Sequence, residues 1–116
     1  MLANINRLRK DHEIKKVFKD GRPVKSENFT IRWRRNWKGV NRFAIIVGTK
    51  VHKLSTRRNA LKRQMREAIR NLNKTLPQGF DIVVIANKLP IWPLKLADIQ
   101  PELTALLGKI RQRVLK

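Results

Sequence analysis

The chain contains no cysteine, which excludes disulfide staples, thiolate zinc sites and thiol catalysis together. Acidic residues are scarce, with eight in 116 residues: Asp11, Glu13, Asp20, Glu27, Glu67, Asp81, Asp98 and Glu102. They are scattered and give no carboxylate pair at metal-ligand spacing. His12 and His52 stand apart from any acid–base constellation, and Glu13 beside His12 points another way on a helix. The sequence therefore predicts no catalytic residue, no protein metal site and no small-molecule substrate. No apolar run approaches the ~18 residues of a membrane span. Met1-Leu2-Ala3-Asn4 lacks the charged start and apolar middle of a signal peptide, so a cytoplasmic product without a membrane partner is expected.

What the chain has is positive charge. Twenty-eight Lys and Arg give a net charge of +20, a density that repels itself in a compact fold and calls for a polyanion, first of all nucleic acid. The excess is uneven: residues 1–74 hold 22 basic and 5 acidic side chains, whereas residues 75–116 hold 6 and 3. The first two thirds are thus expected to face the polyanion, while the last third mostly builds the fold.

The length predicts one domain over residues 1–116. Asp11 is expected to cap a first helix carrying Ile14, Val17 and Phe18, which stops at Gly21 before Pro23. Residues 29–34 alternate as a strand, with Phe29, Ile31 and Trp33 on one face. Asn36 to Asn41 reads as a turn, and the apolar run 43–47 as a strand central in the sheet. Ser55 or Thr56 opens the main helix, which runs to about Lys74, and residues 80–86 form another buried strand. Pro90 and Pro93 mark a loop around Trp92. A last helix is expected from near Pro101, with Leu103, Leu106, Leu107, Ile110 and Val114 on one stripe and an apolar extension upstream at Leu94 and Leu96. The reading is α+β: an α-β sandwich with a mixed sheet of three to four strands, order α-β-β-α-β-α. The helix between the strands at 43–47 and 80–86 allows them to be parallel neighbours.

The main helix carries the functional pattern. At about 100° per residue, Leu61, Met65, Ala68, Ile69 and Leu72 share a core-facing arc. Arg58, Asn59, Lys62, Arg63, Arg66 and Arg70 fill the adjoining arc on one side. Glu67, Ala60, Asn71 and Gln64 occupy the other side, almost without positive charge. A merely solvated helix would mix signs around its whole polar surface. Arg57, Arg58, Lys62 and Arg63 also crowd the half of the helix where the macrodipole disfavours cations, at ~0.3–1 kcal/mol for each in the first turn. A bound phosphate offsets that cost.

These residues carry a resemblance. Arg58-Asn59-Ala60-Leu61-Lys62-Arg63-Gln64-Met65-Arg66-Glu67 resembles the Arg-Asn-Arg-x-x-Lys-Arg-x-x-Arg signature of the bacterial ribonuclease P protein family. Asn6-Arg7-Leu8-Arg9-Lys10, Val17-Phe18-Lys19-Asp20-Gly21, Phe29 and Arg42 with its strand, and Asp81-Ile82-Val83-Val84-Ile85-Ala86 are similar to the family in order and spacing. The chain departs from the pattern at Ala60 and Asn87, where arginine is usual, and at Arg32, where an aromatic is frequent. The loop Val51-His52-Lys53-Leu54-Ser55 also departs, being one residue longer.

The resemblance implies a protein that assists a catalytic RNA, itself dependent on Mg²⁺, in removing the 5′ leader from precursor tRNA. It implies that Arg58, Asn59, Lys62, Arg63, Arg66 and Arg70, with Lys50 and Lys53, face ribonuclease P RNA. Ile14, Phe18 and Arg32 would line a cleft for the leader, and aromatic and cationic groups together suit unstacked nucleotides. Trp33 is expected in the core, and Trp37, in the basic turn, is the better candidate for stacking on a base. The charge alone fits a small ribosomal or other structural RNA-binding protein equally well.

Overall fold

The computed structural model describes residues 4–89 and 94–114. A short 3₁₀ turn at Asn4–Asn6 precedes α1 (Asp11–Asp20), β1 (Arg22–Lys25), β2 (Phe29–Arg35), β3 (Arg42–Val47), α2 (Ser55–Asn73), β4 (Phe80–Ala86) and α3 (Leu96–Val114). The sheet order is β1-β2-β4-β3. β2 is antiparallel to β1 and β4, and β3 is parallel to β4, as the helix between them allows. The fold is α+β, in the order α-β-β-β-α-β-α.

Strand alternation divides the sheet into two faces. Phe29, Ile31 and Trp33 of β2, Phe43 and Val47 of β3, and Ile82 and Val84 of β4 form one core with α2 and α3. Helix α2 contributes the expected stripe Leu61, Met65, Ala68, Ile69 and Leu72, all buried. On the opposite face, Ala44 and Val83 pack with Val17 of α1 and with Leu8.

Four expectations are corrected. Strand β3 lies at the sheet edge, and β2 and β4 are central. The apolar run in β3 reflects cover on both faces, since Phe43 and Val47 enter one core and Ala44 the other. Its outer edge is met by the N-terminal segment, through a parallel bridge from Arg7 to Phe43 and a Leu8 N–H to Phe43 carbonyl bond of 2.9 Å. Strand β1 adds to the expected elements, since no strand is expected between the stop at Gly21 and Phe29. Proline is tolerated there because β1 is an edge strand.

Lys10, not Asp11, is the N-cap of α1, without a side-chain cap bond. Asp11 instead begins the helix and with Glu13 places negative charge in its first turn, where the macrodipole favours it. Helix α3 starts at Leu96 and holds Pro101 inside. Fully buried Ile99 continues the stripe of Leu103, Leu106 and Ile110 one turn upstream, so packing outweighs the backbone hydrogen bond lost at proline. Pro90, Trp92 and Pro93 lie outside the described residues, as does the side chain of Val114.

Glycine is required where α1 turns into β1. The Gly21 N–H bonds the Val17 carbonyl at 2.6 Å, and a Cβ at Gly21 would stand 2.3 Å from that oxygen.

Candidate nucleic-acid interface

The strand register sets the second face of the sheet in three rows. The first is Arg34–Asp81–Arg42, the second Arg32–Val83–Ala44 and the third Thr30–Ile85–Ile46. Helix α1 covers the first two. Val17, fully buried, is the centre of its packed face. Ile14 and Phe18 lie to one side of Val17, and Glu13, Lys16 and Asp20 to the other, as helical spacing dictates.

An ion network fixes α1 over the first row. Arg42 donates to Asp81 at 2.8 and 2.7 Å and to Glu13 at 2.6 Å. Asn36 adds a 2.8 Å bond to Asp81. Asp81 is 4% exposed, a burial that an ionised carboxylate tolerates only when paired. The Asp81 hydrogen bonds push Arg42 above the ordinary arginine value, and Arg42 in turn holds the Glu13 carboxylate below 4.5. The network was not anticipated; the signal was an aspartate written into an otherwise apolar strand.

A pH dependence follows. Glu13 is more acidic folded than unfolded, so its contribution is present above about 4.5 and lost as pH falls through the lower folded value. Glu102 adds to the same trend. Burial pushes it up, but Ser26 and Asn28 donate to it and outweigh burial, leaving it below 4.5. Melting temperatures are expected to drop on acidification below this value. Glu13→Gln should melt lower than wild type at neutral pH and show a shallower acid decline. Parallel pH-dependent melts of the two would show this; superimposable curves would contradict it.

On the other side of α1 the third row stays open. A groove of about 360 Å³ runs between Ile14, the strand β3 and Arg7–Arg9, with Arg66 at its rim. A second depression of about 430 Å³ continues from Ile46 over Ile85 and Asn87 to the Gly48–Val51 loop, where Lys50 stands. Phe18 is 39% exposed, outside both cores. Arg32 lies 5.5 Å from its ring centre and donates to its carbonyl at 3.1 Å. Ile14, Phe18 and Arg32 therefore meet along one side of α1. Asn87, which lines this second depression, exchanges hydrogen bonds with buried Thr30.

Along α2, Asn59, Lys62, Arg63 and Arg66 form one basic surface with Lys62 and Arg66 half-buried and the other two exposed. Arg58 is diverted from it: its guanidinium donates to the carbonyls of His52 and Lys53 at 2.9 and 3.0 Å and closes the preceding loop. Arg70 is paired with Glu67 at 2.6 Å. Lys53 is exposed in the loop. His52 accepts the Leu54 N–H at 3.0 Å, a structural task. Among the described residues no three metal-ligating side chains cluster, and no helix is long and apolar enough to cross a membrane.

The two placed tryptophans separate cleanly. Trp33 is 6% exposed in the core, with the Arg113 guanidinium 5.3 Å from its ring. Trp37 is 83% exposed in the β2–β3 connection.

Known proteins resemble this arrangement throughout. Residues 2–111 match the family described as Ribonuclease P. The chain is 43% identical over 82 residues to the ribonuclease P protein component of Thermotoga maritima, across 71% of this chain and 68% of that one. Against the Pseudomonas putida component it is 37% identical over 94 residues, 80% of this chain and 65% of that one. The solved Thermotoga maritima protein superposes with a TM-score of 0.80 at 36% identity, over 90% of this chain and 96% of that one. For the Staphylococcus aureus protein the TM-score is 0.74 at 26% identity, over 96% and 93%. These matches do not favour a ribosomal or purely structural RNA-binder. The chain belongs to the bacterial ribonuclease P protein family and is a protein component of the RNA-containing endonuclease that processes tRNA 5′ ends.

Proposed function

We propose that one RNA-binding domain of this chain performs two tasks in the cytoplasm. The basic surface of α2, built on Asn59, Lys62, Arg63 and Arg66 and flanked by Lys50, Lys53, Arg58 and Arg70, faces ribonuclease P RNA. The groove beside α1, bounded by Ile14 and β3 and flanked by the Phe18–Arg32 pair, takes the single-stranded 5′ leader of precursor tRNA. Cleavage chemistry and its Mg²⁺ belong to the RNA. The supporting observation is Arg66, which stands in the basic row of α2 and at the rim of the groove. The two surfaces adjoin at the β3 edge, so one small protein can hold the leader against the catalytic RNA and offset repulsion between two polyanions.

Leader length tests this reading. Holoenzyme should bind precursor tRNA carrying a leader of several nucleotides better than one with almost none. Phe18→Ala should reduce that preference by roughly tenfold, the size of one base–aromatic stack. Equal leader dependence in wild type and Phe18→Ala would remove the groove from the mechanism.

A further inference from the structure

The β2–β3 connection presents an aromatic side chain that the fold does not use. Trp37 is 83% exposed, and its φ of 61° places a bulky residue in the left-handed region, where such residues are rare. The turn around it is held firmly. Asn36 accepts the Lys38 N–H at 2.8 Å and donates to the Val40 carbonyl at 3.1 Å and to Asp81 at 2.8 Å. The indole is also oriented: the Arg35 guanidinium lies 5.0 Å from its ring and 5.2 Å from that of Phe80. Arg35 is thus shared between a buried and an exposed ring, leaving the outer indole surface to solvent.

Beside this ring lies a pocket of about 260 Å³ whose lining includes Lys16, Arg34, Arg35 and Lys38, with Glu13 and Asp81 as its acids. Its two acids are both bonded to Arg42. Among the described residues Arg34 forms one ion pair, with Asp20 at 4.0 Å. Lys16, Arg34, Arg35 and Lys38 therefore give the pocket strong positive charge beside a fixed aromatic surface. A base that is unpaired can stack on such a ring while its phosphate is neutralised, whereas duplex RNA offers no free base face. Glu13 and Lys16 lie on the side of α1 opposite Ile14 and Phe18, so helix α1 separates this pocket from the groove.

We propose that Trp37 is a second stacking platform, holding one unpaired RNA nucleotide with its phosphate among Lys16, Arg34 and Lys38. The inference rests on the RNA-binding reading above and adds a contact on the far side of α1.

Trp37→Asn is the informative variant, because asparagine tolerates the left-handed conformation. Its melting temperature should equal or exceed that of wild type. Two affinities are measured: protein for a bacterial ribonuclease P RNA transcript, and assembled holoenzyme for a precursor tRNA transcript. One should weaken by about tenfold, equivalent to ~1.4 kcal/mol, and Trp37→Phe should recover most of it. Loss in the first places the nucleotide in the catalytic RNA, and loss in the second alone places it in the substrate. A folded Trp37→Asn that binds both RNAs as wild type overturns the proposal, as does an effect confined to self-association of the protein. Should the variant melt early, photocrosslinking of wild-type holoenzyme decides: a nucleotide adduct at Trp37 supports the platform, and adducts only elsewhere refute it. Failure of wild type to assemble with either RNA would overturn the RNA-binding reading as well.

Discussion

Replacing Lys62, Arg63 and Arg66 together by Glu is expected to weaken assembly with ribonuclease P RNA by at least about 10³-fold, while the protein stays folded. The magnitude follows from three charge-assisted hydrogen bonds at ~1.5–3 kcal/mol each. The logarithmic dependence of affinity on salt should also flatten by roughly 0.9 for each phosphate that is no longer neutralised. None of the three lies in the buried stripe of α2, so the melting temperature should hold. It should even rise slightly, because three charge reversals relieve the self-repulsion of a chain with a net charge of +20. Arg58 is left out deliberately, since its bonds to His52 and Lys53 would confound folding with binding. Leu61→Ala should do the reverse, costing ~2–5 kcal/mol of stability with the basic face intact. Normal RNA binding by the triple variant would mean that α2 is not the interface.

The second large effect concerns the network that seats α1. Arg42→Ala leaves Asp81, 4% exposed, and Glu13 without their cation. Breaking a buried pair from one side costs ~3–5 kcal/mol, a large share of the ~5–15 kcal/mol that holds a typical domain together. Adding Asp81→Asn should restore part of the stability by removing the stranded charge. Because α1 walls the groove, Arg42→Ala should also erase the preference for long leaders, even at temperatures where the sheet is intact. Denaturant melts within ~1 kcal/mol of wild type would show that the network is not what holds the helix.

How far the sequence could be read depended on the range of the interaction. The stripe of α2 is written in local periodicity, and the structure buries it as expected. Of its basic neighbour, Asn59, Lys62, Arg63 and Arg66 share a surface while Arg58 and Arg70 are held by other partners. A ten-residue helix does not reveal its own centre; burial of Val17 sets it, and leaves Phe18, 39% exposed, outside both cores. The edge position of β3 was hidden because an apolar run reports covered faces, not covered edges. Pro101 misled because the local proline rule yields to the pull of Ile99 into the core. The Glu13–Arg42–Asp81 network joins residues 29 and 39 positions apart, and local patterning carries no trace of such a pairing beyond the unexplained aspartate. The diversion of Arg58 to the loop carbonyls was likewise invisible on a helical wheel.

In the function proposed above, this chain enables catalysis by the RNA and performs none itself. Single-turnover cleavage of precursor tRNA, at modest Mg²⁺, tests it most directly. Protein alone should cut nothing, and a bacterial ribonuclease P RNA alone should cut slowly under these conditions. The two together should cleave specifically at the mature 5′ end with a clear gain in rate, because positive charge brought by the protein screens two polyanions that otherwise need high salt. Cleavage by the protein alone that survives nuclease treatment, or no rate gain on combining the two, would contradict the account.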